Sequence, residues 1–228
     1  MKYSFNIQAS DGKQEFSEKL IVGAFNNESG SHIALKLLAY LIFIKQAPRI
    51  DEDAGLQVVP DLIARDESGN IKLWVDCGSV SAKKADTVAT KARDSIDFYV
   101  FRATQREMEQ FYKQIQDKVK HLHNVKCLSF DDGFVDGVGL SLDRTNSLEA
   151  FISDEMITLT INNSFGNMRH IRPYIASRNK TTGISSAVSG NAFNEEVDQP
   201  DSNQLQYSFI SSVILFPGSG TAAHEQKN

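Results

Sequence analysis

The sequence predicts an α/β protein in which a mixed β-sheet is flanked by helices over residues 1–175, with a C-terminal extension over residues 176–228. Three observations lead there. A period-two hairpin opens the chain, a strongly apolar helix follows it, and strands then alternate with amphipathic helices, which calls for right-handed crossovers and a partly parallel sheet.

The opening segments "KYSFNIQAS" and "QEFSEKLIVGAF" alternate in polarity about Asp11-Gly12, a pair that supports a tight turn between strands. In "NNESGSHIALKLLAYLIFIKQAP", Ile33, Leu37, Leu38, Leu41 and Ile44 keep helical spacing, with Asn26 or Asn27 as candidate caps and Pro48 as the stop. A second hairpin is expected from "GLQVVPDLIARDESGNIKLWVDCGS". Val58, Val59, Leu62 and Ile63 form its first strand, Ser68-Gly69-Asn70 its turn, and Ile71 to Val75 its second. Trp74 between Leu73 and Val75 makes both faces of that second strand apolar, as in the middle of a sheet. A lysine-rich helix over Ser81 to Arg93 comes next, then "SIDFYVF" as a strand, "TQREMEQFYKQIQDKVKHL" as a helix and "VKCLSF" as a strand. "NSLEAFISDEMITLTINN" reads as a short helix followed by an edge strand. Past residue 176 the chain turns polar and rich in Gly, Ser and Asn, as in a flexible segment, before the strand-like "LQYSFISSVILF". That run is expected to dock on the main domain or on a protein partner.

Composition bounds the function. The hydrophobic fraction of 41% and charged fraction of 23% are those of a globular protein, so a disordered or fibrous role is excluded. Cys77 and Cys127 lie far apart and lack a CxxC partner, which argues against a zinc ribbon or disulfide framework and fits a reducing compartment. No basic stretch precedes an apolar run at the N-terminus, and "ALKLLAYLIFI" is broken by Lys36 and too short to span a bilayer. A cytoplasmic protein with no membrane role is expected. The net charge of −5 does not favour general nucleic-acid binding, which draws on clustered Lys and Arg.

The residues that carry chemistry are Glu28, Asp61 in "VVPDLI" and Asp76 in "LWVDCG". Antiparallel pairing about the Ser68-Gly69 turn puts Asp61 and Asp76 on neighbouring strands at one end of the sheet. Carboxylates held on rigid strands can share a hard cation such as Mg²⁺, which polarises a phosphodiester and activates water while a lysine stabilises the attacking group. Lys84 and Lys91 are the candidates; seven residues apart, they share a face of the following helix.

Each of these residues also has a plain structural reading. Asp61 suits a turn, a glutamate beside a helix start suits the helix dipole, and lysines on a helix are by default a solvated face. A charge interrupting "LWV" is harder to dismiss, because such positions rarely stay unpartnered. Cys77 points to the other side of the strand from Asp76 and is expected to be a packed thiol. His32, one turn after Glu28, can face the same cleft. His121 and His123 sit at a helix end, where positive charge is favourable. Gly137-Val138-Gly139 does not join a strand to a helix, so no dinucleotide or P-loop reading survives.

The order helix-Glu, strand Pro-Asp, strand Asp-x-x, helix resembles the PD-(D/E)xK arrangement of restriction-endonuclease-like folds. Over residues 2–175, "ESGSHIALKLLAY", "PDLIARDESGNIKLWVDCG", the helix ending "TKA" and "EMITLTINN" together resemble the YaeQ family of that nuclease-like superfamily. The resemblance implies an acidic cluster of Glu28, Asp61 and Asp76 holding Mg²⁺ or Mn²⁺, with phosphodiester hydrolysis of DNA or RNA as the activity. This chain has "DCG" where the superfamily has "DxK", so Gly78 replaces the strand lysine and the helix must supply one, Lys84 ahead of Lys91. Asp76 stands where the family has glutamate, one methylene shorter, and "GSVSAKK" lacks the proline usual after the glycine. The rival function is a catalytically inactive module on the same fold, binding nucleic acid or a protein partner.

Overall fold

The computed structural model describes residues 1–25, 28–92, 95–153, 156–162 and, for the backbone, 164–175. The chain separates into units Met1–Phe193 and Asn194–Asn228, and every described residue belongs to the first. The expected C-terminal extension, residues 176–228, and the candidate caps Asn26 and Asn27 lie outside the described residues.

The opening hairpin forms as expected. β1 (Lys2–Ser10) and β2 (Glu15–Gly23) pair antiparallel from Lys2↔Gly23 to Ser10↔Glu15. The Asp11 carboxylate accepts the backbone N–H groups of Lys13 and Gln14, which is how aspartate closes such a turn. The apolar helix is α1 (Gly30–Ile42), buried almost all round from Ile33 to Leu41. Ser29 caps it by accepting the His32 N–H at 3.2 Å. Glu28 therefore precedes the helix rather than lying in its first turn, and its Oε2 accepts the Phe25 N–H.

β3 (Arg49–Ile50) and β4 (Leu62–Arg65) are short, and β4 pairs antiparallel with β5 (Ile71–Cys77). The expected strand at Val58 and Val59 does not form; regular pairing starts only after Pro60, which has no N–H to give to a ladder. Then α2 (Ala82–Ala92), β6 (Asp97–Arg102), α3 (Gln105–Ile115) and β7 (Val125–Phe130) complete the crossovers. β5, β6 and β7 run parallel, in register Asp76↔Val100 and Val100↔Cys127.

The strand over Met156–Ile161, expected at an edge of the sheet, has a neighbour on either side, and two further elements depart from expectation. α4 (Phe134–Leu140) was not foreseen, because its glycines disguise the helical spacing of Phe134, Val135 and Val138. Residues 145–152, expected as a helix, form the strand β8 (Thr145–Ile152), which pairs with β1 in parallel and with β9 (Met156–Ile161) antiparallel. "TNSLEAFI" satisfies both periods on paper, and burial of Asn146, Leu148 and Ala150 on one face decides for the strand.

With β10 (Ser164–Ile175) the strands join in the order β2-β1-β8-β9-β10-β7-β6-β5-β4-β3. Two apolar cores form on this sheet. One unites α1 and α4 with Leu73, Val75, Cys77 and Phe101; the other unites α2 and α3 with Trp74, Phe98, Val100 and Cys127. β5 is thus buried on both faces, and its alternation sends Cys77 to the α1 side and Asp76 to the α2 side. α1 is seated on α4 by backbone contact. A Cβ on Gly139 would lie 2.7 Å from the Gly30 carbonyl carbon, and Ser31 Oγ donates to Asp136 at 2.6 Å.

Candidate functional site

Ionisable side chains gather where β4, β5 and α1 meet. Asp61 precedes β4 and continues its register opposite Asp76, with its own N–H donating to the Val75 carbonyl at 3.0 Å. Its Oδ2 accepts the Cys77 N–H at 2.7 Å, which ties the carboxylate across the end of β5. Its Oδ1 faces α1, 3.4 Å from Lys36 Nζ and 3.5 Å from His32 Nε2. Glu28, His32 and Lys36 recur every four residues, so they share one line along the start of α1. Glu28 Oε1 lies 3.1 Å from His32 Nε2 and 2.9 Å from Lys36 Nζ.

Lys36 is the centre of this group. Its side chain is 2% exposed, and Nζ meets Glu28, Asp51 and Asp61 at 2.9, 2.9 and 3.4 Å. Burial alone works against its charge, but the hydrogen bonds it donates to Asp51 and Glu28 and the field of Asp61 outweigh that and raise its pKa. Burial would lift the pKa of Asp61 too. His32, the Cys77 N–H and Lys36 together bring it below the usual carboxylate value. Asp51 goes the other way: burial lifts its pKa, with Lys36 opposing and the charges of Asp61 and Glu28 adding to the lift.

Asp76 has no exposed surface. Oδ1 accepts from Lys84 Nζ at 2.8 Å and from the Trp74 indole at 3.2 Å, whereas Oδ2 is buried with no hydrogen-bond partner among the described residues. Burial raises its pKa to about 6 despite Lys84, and the Asp61 charge adds to the rise. Lys84 is held from the other side by the Val59 carbonyl at 2.8 Å. Two residues beyond Asp76, Gly78 takes φ +70°, and a Cβ there would lie 3.0 Å from His32 Nδ1.

The structure places Glu28 and Asp61 in one ion-paired group around Lys36 and Asp76 in another with Lys84, in place of the single acidic cluster expected. Lys91 is exposed in the last turn of α2, away from this corner, and Lys83 is exposed as well. His32 does face the cleft, whereas His121 and His123 are exposed and stand against each other. Cys77 is a buried thiol whose pKa burial raises well above its ordinary value. Asp51 was not foreseen, and Lys36 appeared only as an interruption of an apolar run. The available signal was the four-residue recurrence from Glu28.

Among the described residues no three His, Cys, Asp or Glu side chains converge to hold a metal by themselves. The place that a cation would fill between Glu28, Asp51 and Asp61 is taken by the Lys36 ammonium. Asp61 has both oxygens engaged, by the Cys77 N–H and by Lys36 and His32 on the α1 side. Asp76 turns to Lys84 and Trp74 on the α2 side, so the oxygen left for a hard cation is Asp76 Oδ2. Mg²⁺ is commonly held by one or two carboxylates with water and substrate phosphate completing its shell, and the unpartnered Asp76 Oδ2 suits that chemistry.

Fold and site together define a mixed-sheet α/β protein with buried carboxylate–lysine pairs at one end of its central strands. The chain belongs to the YaeQ family: residues 1–169 match the family described as YaeQ protein. It is 23% identical over 159 residues to "Uncharacterized protein YaeQ" of Escherichia coli (strain K12), covering 70% of this chain and 86% of that one. The protein of the same description from Salmonella typhi is 23% identical over 155 residues, covering 68% and 84%. The crystal structure of YaeQ protein from Xanthomonas axonopodis pv. citri superposes with a TM-score of 0.62 at 17% identity, over 76% of this chain and 96% of that chain. That of YaeQ protein from Pseudomonas syringae gives 0.62 at 13% identity, over 78% and 96%. These likenesses show the mixed sheet flanked by helices to be the fold of solved YaeQ proteins. No helix among the described residues is long and apolar enough to cross a membrane.

Proposed function

We propose that this chain is a nuclease-type phosphodiesterase acting on DNA or RNA, with its reacting centre at Asp61, Asp76 and Lys84. The observation that carries the reading is Asp76, a carboxylate with no exposed surface that faces an ammonium with one oxygen and leaves the other unpartnered among the described residues. A buried charge so placed is costly to keep, and such groups concentrate at functional sites. Charge supports it. Glu28, Asp51, Asp61 and Asp76, when ionised, oppose Lys36 and Lys84, leaving an excess of two negative charges that one divalent cation would balance.

Asp76, joined by Asp61 once its Oδ1 is released from Lys36 and His32, would hold Mg²⁺ or Mn²⁺ together with the substrate phosphate, and when bound the cation would supply Lewis-acid polarisation and an activated water. The chain's own groups do the rest. Lys84 presents an ammonium beside Asp76, where it can stabilise charge on a phosphate. His32 stands between Glu28 and Asp61 and can pass a proton between them and the cleft. Lys36 prevents three neighbouring carboxylates from repelling one another. The test is incubation of the purified chain with single- and double-stranded DNA and RNA plus Mg²⁺ or Mn²⁺. Cleavage is expected, with loss of at least about 100-fold in an Asp61→Ala, Asp76→Ala double variant. No cleavage, or equal cleavage by that variant, removes the reading.

One observation favours a second reading, a catalytically inactive module that binds nucleic acid or a protein partner: Lys36 already provides the positive charge that a metal would otherwise supply to Glu28, Asp51 and Asp61. It predicts no metal binding by calorimetry, even with an oligonucleotide present, and a pull-down partner lost on truncation after Ser177.

A further inference from the structure

Arg102 ends β6 on the sheet face that carries Asp76. The register Asp76↔Val100 puts Arg102 level with Gly78 on the neighbouring strand, two residues beyond Asp76 towards the open end. Its guanidinium lies over the Phe111 ring, 4.9 Å from the centroid, so α3 helps to hold it. Yet Nε is buried and, among the described residues, makes no hydrogen bond. Burial lowers its pKa. Glu107, the carboxylate whose charge it feels, turns Oε2 to the Ala103 N–H at 3.3 Å as part of the α3 cap. A guanidinium set against a ring, partly desolvated and with one N–H short of an acceptor is prepared to offer its outer nitrogens to an anion from outside.

The surroundings suit one. β5 and β6 run parallel and lead into α2 and α3, so both helix N-termini start at this end of the sheet, where anions are favoured. Register also places Ser129 of β7 in line with Arg102. Ligands of open α/β sheets bind beyond the carboxyl ends of their strands.

We infer that Arg102 grips a backbone phosphate of a nucleic-acid strand lying across the carboxyl ends of β5 and β6, next to the Asp76–Lys84 pair. The inference rests on the nucleic-acid reading above but not on catalysis. Arg102 is a binding residue for the strand, on the phosphate beside the reacting one. Its planar fork reads two oxygens of that phosphate, and Phe111 holds the fork in place.

The experiment is fluorescence anisotropy with a labelled single-stranded oligonucleotide in EDTA across a salt series, so that no cation takes part. Arg102→Gln should weaken binding roughly 10-fold and reduce the logarithmic salt slope by about one. Arg102→Lys should recover the slope but not all of the affinity, because it keeps charge and loses the fork. If the Gln variant does not fold, the comparison of wild type with Arg102→Lys decides: equal affinity in the two overturns the inference. So does wild-type affinity and slope in Arg102→Gln, or absence of oligonucleotide binding by the wild type. Arg102-dependent binding without cleavage in Mg²⁺ would instead remove the catalytic reading and leave this one standing.

Discussion

The Lys84 ammonium lies 2.8 Å from Oδ1 of Asp76, a carboxylate with no exposed surface, so a helix and a buried strand are joined by charge. Removing the ammonium leaves an unneutralised carboxylate inside the protein. Because a quarter of the Lys84 side chain is exposed, the loss is smaller than for a fully buried pair. Lys84→Met should destabilise by about 2–3 kcal/mol in urea denaturation. Adding Asp76→Asn should return most of that; a double variant no more stable than the single one would contradict the pairing.

Asp76 also sets a pH dependence. Its pKa rises from 3.8 to about 6 on folding, so between those values the native state holds more protons than the unfolded chain. Stability should therefore be greatest from this group below pH 4 and fall as pH climbs through 6, by about 3 kcal/mol at most. Asp61, shifted downward, contributes in the opposite sense: its stabilisation is present above the ordinary carboxylate value and lost as pH falls through its own lower one. Its loss lies at lower pH and does not hide the slope. Melting temperatures of wild type and Asp76→Asn from pH 4 to 7 should show a falling component in the first that is missing from the second.

Lys36→Met should expose what the ammonium conceals. Glu28, Asp51 and Asp61 would then share a buried space uncompensated, at a cost of about 3–5 kcal/mol near neutral pH. Added Mg²⁺ or Ca²⁺ should raise the melting temperature of this variant and change the wild type little. Equal responses from the two would mean that Lys36 does not occupy a cation's place.

Much of this arrangement was legible in the strands. The turn at Ser68-Gly69 fixed the pairing of Asp61 with Asp76, and the helix after β5 could only bring Lys84 back over its end. Lys36 and Asp51 were not legible as partners, because their meeting depends on how α1 crosses the sheet. Asp51 also takes a φ of +53° in an irregular stretch that no periodicity describes. For residues 145–152 the difficulty was a pattern compatible with both periods, resolved by pairing with β1, more than a hundred residues earlier.

That crossing of α1 depends on two glycines. A Cβ on Gly139 would meet the Gly30 and Ser31 backbone at 2.7 Å, and one on Gly30 would meet the Gly139 carbonyl oxygen at 2.8 Å. Backbone cannot rotate aside as a side chain can. Gly139→Ala should destabilise by about 1–3 kcal/mol and shift the start of α1, visible as altered His32 imidazole resonances in NMR. Unchanged His32 signals would show that the contact does not position the site.

The geometry at Gly78 constrains any attempt to install a lysine at the end of β5. A residue installed there inherits a left-handed backbone and runs into the His32 ring. The imidazole and the origin of the ammonium are thus linked choices: while His32 stands in its place, the amine has to arrive from α2. Protein engineers relocating it would have to exchange both residues at once, and reshape the bend between them.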